Sequence, residues 1–239
     1  WVLQDIHHFT TFAFVSLMED GERDFYFNRG ADGQLSKEDL AELVLNNYSI
    51  VHFGSATGFL PGPLQINYVD MLAKAKNNNA IISFDPNYRH LLFPNNTKSF
   101  VDQCWPFIEE CHFFKLSDEE AMLITGCDSV QHAAAALRKR SNAVFAITLG
   151  KEGTLLSVGD HLEMIGSIAI TPVDATGAGD AFVGAVLFQL KDSHPDKLVN
   201  IHLEEWKKII SNANKAGART CEYMGAMEAF KHLNNSIFN

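Results

Sequence analysis

Residues 173–180 read Val-Asp-Ala-Thr-Gly-Ala-Gly-Asp, and residues 181–190 continue as Ala-Phe-Val-Gly-Ala-Val-Leu-Phe-Gln-Leu. A strand ends just before this stretch, a glycine-rich turn follows, and a small, apolar helix begins. Backbone N–H groups at a helix start have no intrahelical acceptor, glycines let an oxyanion come close to them, and the helix dipole adds to the attraction. The stretch is a place to hold a phosphate. It is neither a G-x-x-x-x-G-K-[ST] loop nor a G-x-G-x-x-G fingerprint, since neither pattern occurs in the chain. Asp180 stands at the mouth of the turn. It reads either as a base that deprotonates a hydroxyl attacking a terminal phosphate, or as a cap on a helix beginning at Ala181; spacing alone leaves both open.

Outward from this stretch, helical patterns at 37–46, 63–77, 97–110, 117–125, 129–140, 180–191 and 204–221 alternate with apolar runs. Those runs are Ser49–Phe53, Ala80–Phe84, Phe113–Leu116, Ala143–Leu149, Thr154–Val158 and Glu163–Ile170. Several carry no polar alternation, so they predict a buried and at least partly parallel sheet of an α/β fold. Ligands in such sheets gather beyond the carboxyl ends of the strands. Residues 10–29 differ: they alternate apolar and polar positions around Glu19-Asp20-Gly21-Glu22, with Phe12, Phe14 and Leu17 before and Phe25 and Phe27 after. That is a hairpin signal. Two strands alone are marginal in water, so the hairpin needs another sheet, a partner subunit or an upstream segment to lean on.

With 239 residues, 46% of them hydrophobic and 20% charged, the chain can bury a sizeable core, which excludes disorder, collagen-like repetition and a disulfide mini-scaffold. Lys and Arg number 19 against 29 Asp and Glu, and the net charge of −10 argues against nucleic-acid and anionic-membrane partners. Cys104, Cys111, Cys127 and Cys221 form no C-x-x-C pair or zinc spacing, which predicts reduced thiols and a cytoplasmic protein. No apolar run approaches the ~18 residues needed to span a bilayer. The histidines, including His7, His8, His52, His90 and His161, form no H-E-x-x-H cluster and read as surface or packing residues. The chain opens without Met, directly into a strand-like pattern, so an upstream segment is expected.

The string DATGAGDAFVGAVL resembles the C-terminal signature of the ribokinase-like (PfkB) carbohydrate kinases. Further matches follow in family order: DGERDFYFNR resembles the lid strand of the fructokinase branch, HFGSATG the buried strand after it, and FDPNYR a strand end typical of that branch. KLSDEEAMLITG is similar to the family's carboxylate-bearing strand-to-helix segment, AITLGKEG to its nucleotide-loop glycine motif, and NANKAGARTCEYMGA to its C-terminal helix. The resemblance implies a three-layer sandwich with a largely parallel central sheet and a small β lid. Residues 10–30 would supply lid strands and residues 31–239 a nucleotide-binding core. It also implies an N-terminal stretch bearing sugar ligands, which no part of this chain matches, so a partial record is expected.

The same resemblance implies residue roles. Asp180 matches the catalytic base, and the N–H groups of Gly177, Ala178, Gly179 and Asp180 match the anion hole. Thr148, Gly150 and Gly153 match the nucleotide loop. Asn214 matches a position near adenine, or else packs on a close-approach helix face. Glu120 matches a glutamate that organises Mg²⁺ through water, although Ser117 stands where the family commonly has Asn. Asp174 matches a monovalent-cation site of K⁺ type, with the stretch 223–226, including Gly225, closing it; the alternative is an Asp at a strand end satisfied by backbone N–H groups. Asn87 and Arg89 match cleft residues that meet sugar or phosphate, Arg89 otherwise forming a surface salt bridge. Arg29 would reach an acidic sugar or stand solvated at a strand end. The implied activity is ATP-dependent phosphorylation of a sugar hydroxyl, fructokinase-like first, with 2-keto-3-deoxygluconate as the rival acceptor and a non-catalytic sugar-binding regulator as the rival class. Small-molecule sugar and ATP are the implied partners, with a homodimer formed through the lid.

Overall fold

A run that is apolar at successive positions cannot turn one face to water, so it must lie between two neighbouring strands and two covering layers. The computed structural model describes residues 3–17, 23–41, 43, 45–198 and 200–238, with the side chains of 15–17, 23–25, 46 and 57 left aside. In chain order come β1 (Phe12–Leu17), β2 (Arg23–Asn28), α1 (Lys37–Ala41), β3 (Ile50–Gly54), α2 (Ser55–Gly58), α3 (Pro63–Asn77), β4 (Ile81–Asp85), α4 (Thr97–Glu110) and β5 (Phe113–Ser117). There follow α5 (Asp118–Thr125), α6 (Val130–Arg140), β6 (Val144–Thr148), β7 (Thr154–Val158), β8 (His161–Ile165), α7 (Ala178–Leu190), α8 (Pro195–Leu198) and α9 (Leu203–Thr220). The main sheet runs β3-β4-β5-β6-β7-β8. Its first four strands are parallel and β6, β7 and β8 antiparallel. The connections explain the change: helices carry the chain between the parallel strands, whereas only short turns separate β6, β7 and β8.

Alternation along the strands divides the core in two. Phe53, Phe84, Phe114, Leu116, Phe145 and Ile147 pack with residues of α3, α4, α5 and α6 on one face. Ile81, Phe113, Val144, Ala146 and Leu156 pack on the other with Phe182, Val186, Trp206 and Ile210 from α7 and α9. This is the expected three-layer arrangement. Trp206 stacks on Phe113 at a centroid distance of 5.9 Å. Helices α7 and α9 approach closely because Gly217 carries no side chain; a Cβ there would lie 3.0 Å from the Ala178 carbonyl oxygen.

Strands β1 and β2 form a separate antiparallel sheet, registered from Phe12 opposite Asn28 to Leu17 opposite Arg23. The turn expected at Glu19–Glu22 lies outside the described residues. The base of this sheet is tied down: the Gly30 N–H donates to Thr11 Oγ1 at 2.9 Å, Thr11 Oγ1 donates to Asp32, and Arg29 Nη1 donates to the Pro61 carbonyl at 2.6 Å.

Three boundaries differ from the sequence expectation. The strand expected at Glu163–Ile170 occupies His161–Ile165 instead. Ile165 pairs with Thr154, the first residue of β7, so the chain beyond it has no strand to pair with. The helix expected at 180–191 begins at Ala178, and the helical pattern at 37–46 holds an α-helix over Lys37–Ala41 only. The short helices Ser55–Gly58 and Pro195–Leu198 carry too few residues for a periodic pattern to reveal them.

Candidate active site

The turn before α7 is built around two glycine requirements. Gly177 is the N-cap in the left-handed region, φ 82°, and a Cβ there would sit 2.8 Å from the Ala226 Cβ. Asp174 holds the turn in place: its Oδ1 accepts from Thr176 N–H at 2.7 Å and its Oδ2 from Gly225 N–H at 2.8 Å. The N–H groups of Val173 and Asp174 both donate to the Cys221 carbonyl, at 2.7 and 3.1 Å. The stretch 173–177 is thereby sewn to 221–226. Asp174 lies in the irregular loop that joins β8 to α7 rather than at a strand end, and its carboxylate is met by backbone N–H groups.

Asp180 is the third residue of α7 and is exposed. The cap reading therefore fails, because the cap position belongs to Gly177 and the helix starts at Ala178, three residues earlier than that reading requires. A carboxylate in the first turn is favoured by the dipole, and nothing buries it. Ala178 N–H donates to the Ala175 carbonyl at 3.3 Å, which partly engages one of the four expected anion-hole groups.

Under this helix start lie the ends of β4 and β5. Lys115 Nζ stands 3.3 and 3.5 Å from the two oxygens of Asp85, with both side chains buried. Burial, opposed by the neighbouring Lys115, pushes the Asp85 carboxyl up to about 6. Burial also disfavours the Lys115 charge, but Asp85, Glu120 and Asp180 outweigh it and hold the ammonium above its ordinary value. Asn87 follows in the left-handed region, φ 48°, its N–H donating to Asp85 Oδ1 at 3.1 Å. Such a turn suits Asn. Arg89 donates from Nη1 to the Tyr88 carbonyl at 3.2 Å. On the same strand, Ser83 Oγ lies 3.1 Å from His52 Nδ1, a contact in keeping with the surface or packing role expected of His52.

Glu120 is buried and both its oxygens are in use. Oε2 accepts from Ser117 N–H and Oε1 from Tyr88 N–H, each at 2.7 Å, while Glu120 N–H donates to Ser117 Oγ at 3.1 Å. Ser117 and Glu120 form a capping box at the start of α5. Ser in place of Asn thus has a local reason, and the S-x-x-E spacing was a signal in the sequence for it.

The β6–β7 loop requires glycine as well. Gly153 has φ 107°, and a Cβ there would meet the Ile165 carbonyl oxygen at 2.1 Å; Gly150 has φ 56°. Thr148 Oγ1 donates to the Leu116 carbonyl at 3.2 Å. Asn214 is fully engaged in joining α9 to the sheet: Oδ1 accepts from Thr154 Oγ1 at 2.6 Å, and Nδ2 donates to the carbonyls of Ile165 and Gly166 at 3.0 and 3.2 Å. Its packing role is the one that these bonds express.

The expected residues thus fall into groups. Gly177, Ala178, Gly179, Asp180, Asp174 and Gly225 share the α7 turn; Glu120, Asn87 and Arg89 share the β4–β5 ends; Thr148, Gly150, Gly153 and Asn214 share the loop beside β8. Arg29 stands at the base of the small sheet, bonded to Pro61 and 3.5 Å from Asp32, so it is anchored rather than solvated. Sequence reasoning passed over Lys115 and Asp85. A lysine inside the run Phe113–Ser117 was the available signal, since a buried lysine requires a partner.

Residues 1–233 match the pfkB family carbohydrate kinase description. The chain belongs to this family. It is a sugar kinase, a phosphotransferase with an alcohol acceptor. It is 32% identical over 223 residues to the probable fructokinase-4 of Arabidopsis thaliana, covering 92% of this chain and 67% of that protein. Against fructokinase-1 of Zea mays the identity is 32% over 225 residues, covering 91% and 67%. The kinase chain therefore spans about two thirds of the length of these relatives. Among solved structures, the Vibrio cholerae O395 fructokinase in its fructose, ADP and calcium ion bound form superposes with a TM-score of 0.78 at 25% identity, over 98% of this chain and 73% of that one. The Xylella fastidiosa fructokinase with bound ATP shares the fold, with a TM-score of 0.80 at 24% identity over 92% and 70%. Among the described residues of the kinase, no helix is long and apolar enough to cross a membrane.

Proposed function

We propose that this kinase transfers the γ-phosphoryl group of ATP to a hydroxyl of D-fructose, yielding ADP and a fructose phosphate. The carrying observation is an exposed carboxylate, Asp180, in the first turn of a helix whose start is lined by Gly177 and Gly179. The fructose oxygen attacks the γ-phosphorus, the bond to the β-phosphate oxygen breaks, and the hydroxyl proton passes to Asp180. The N–H groups of Gly177, Ala178, Gly179 and Asp180 steady the transferring charge, and catalysis is mostly positioning and electrostatics. Thr148, Gly150 and Gly153 line the nucleotide, with Asn214 and Gly225 holding the surrounding loops. Asn87 and Arg89 face the sugar.

Mg²⁺ would draw charge from the β- and γ-phosphate oxygens when bound. Glu120 fits a role through water: each of its oxygens accepts one backbone N–H and keeps a further lone pair. Asp174, which accepts the N–H groups of Thr176 and Gly225, and the carbonyls of 223–226 form the proposed K⁺-type site. Residues 10–30 act as a lid over the core of 31–239, and the exposed Phe12, Phe14 and Tyr26 support a homodimer formed through it. The four free thiols support a cytoplasmic protein. The anchoring of Arg29 weakens the acidic-sugar alternative, 2-keto-3-deoxygluconate.

The test is ADP release with Mg²⁺–ATP across fructose, 2-keto-3-deoxygluconate, ribose, glucose and adenosine. Fructose-dependent turnover is expected. Sugar binding with no turnover on any acceptor would make the protein a non-catalytic sensor instead.

A further inference from the structure

Lys115 is the charged residue of the run Phe113–Ser117, and alternation sends it with Phe113 to the α7 side of the sheet. There its ammonium meets the underside of the helix start: a Cβ built on Gly179 would lie 3.2 Å from Lys115 Nζ. Gly179, unlike Gly177, is not in the left-handed region, so its lack of a side chain answers to this close approach rather than to backbone conformation. Glu120 and Asp180 face this ammonium besides Asp85 and favour its charge. A helix N-terminus and a buried ammonium are both positive, and placing one against the other is unfavourable unless an anion neutralises them. Asp85 does so in part, but its contacts at 3.3 and 3.5 Å exceed the ~2.7–2.9 Å of a tight charge-assisted bond, and an ammonium has three donors.

We propose that Lys115 is a positioning residue of the phosphoryl-transfer site, holding a fixed positive charge beneath the turn Gly177–Asp180 while Asp85 anchors its stem. It acts through the turn, strengthening the field that the N–H groups present to the γ-phosphate. The proposal rests on the kinase reading above.

A simple exchange of Lys115 leaves Asp85 buried and unpaired, so the decisive protein is the double variant Lys115→Met/Asp85→Asn, compared with Asp85→Asn alone. Folding is checked by thermal melting, turnover by fructose-dependent ADP release, and binding by calorimetric titration of ATP and of ADP without sugar. The double variant is expected to lose about tenfold in kcat relative to Asp85→Asn, less than removal of a direct oxyanion donor does. Its KM for fructose should stay within about twofold, and ATP affinity should fall more than ADP affinity. Equal kcat and equal ATP-to-ADP affinity ratios in the two proteins would show that Lys115 merely neutralises Asp85, and would overturn the proposal. If either variant fails to fold, Gly179→Ala decides: the added methyl crowds the ammonium, so ATP affinity should fall more than ADP affinity along with kcat, and wild-type kcat with a wild-type ATP-to-ADP affinity ratio would overturn the proposal. A wild-type protein that neither binds ATP nor phosphorylates fructose would overturn the kinase reading and this proposal together, whereas an active wild type with equal variants overturns this proposal alone.

Discussion

The ground beneath α7 and the small β1–β2 sheet handle exposure in opposite ways. Beneath and beside the helix start, Asp85, Lys115, Glu120 and Asp174 are only 5–7% exposed, and each is held by named bonds. In the small sheet, Phe12, Phe14 and Tyr26 are 50%, 59% and 71% exposed and stack mainly on one another. Buried charges are tolerated only where partners offset their desolvation, so the first region is rigid before any ligand arrives. Apolar rings left in water gain nothing until something covers them. On the proposed reading, preorganisation and recognition are divided between the two, with chemistry in the pinned region and closure in the uncovered one.

The comparison is broken most severely at Asp180, the one acidic residue of the α7 turn that is exposed. Asp180→Asn should lower kcat by about 10²–10⁴ while leaving the melting temperature unchanged, and a variant with wild-type turnover would remove it from the mechanism. Glu120→Ala orphans the N–H groups of Ser117 and Tyr88. Hydrogen bonds to a charged group contribute about 1.5–3 kcal/mol each, so urea unfolding should register a loss of about 3 kcal/mol. A loss below about 1 kcal/mol would mean that the pinned region is less rigid than its bonds suggest.

Asp85 gives the pH dependence. Its carboxyl, pushed up to about 6, binds a proton in the folded state over a range where the unfolded chain has released it. Its contribution to stability is therefore greatest at low pH and falls as pH rises from about 4 to about 6. Wild type should lose on the order of 3 kcal/mol against Asp85→Asn across that window, and parallel stability curves would refute the shift. Gly153→Ala should destabilise by about 1–2 kcal/mol, since a side chain at φ 107° is strained and meets the Ile165 carbonyl. At the other extreme, Phe14→Ser and Tyr26→Ser should change stability by less than about 0.5 kcal/mol. Sedimentation should nonetheless show a smaller assembly and kinetics a higher KM for sugar; if neither changes, the uncovered face is not the lid's working surface.

Much of the fold was legible because its signals are local. The helices Pro63–Asn77 and Thr97–Glu110 and the strand Thr154–Val158 fall on the residues that periodicity marks out. The α7 turn was legible too, since glycines flanking a helix start are a short-range pattern. The exact helix start was not, because Ala178 and Gly179 look equally at home in a turn, and Asp180 was open to the cap reading until Gly177 took that place. The end of β8 was illegible for a different reason: Ile168 and Ile170 continue the alternation, but β7 has no residue left to pair with them.

By itself, then, the amino-acid order determined the strand and helix succession, the two glycine turns, the family and the carboxylate at the helix mouth. Each of these is written within a few neighbouring residues. Tertiary structure alone decided that Lys115 lies between Asp85 and Gly179, that Asn214 spends its amide on Thr154 and β8, and that Arg29 is bound to Pro61. Those partners are separated by tens of residues, and which of them meet is settled only when the sheet order and the packing of α7 against it bring desolvated groups within bonding distance, where each must find a partner.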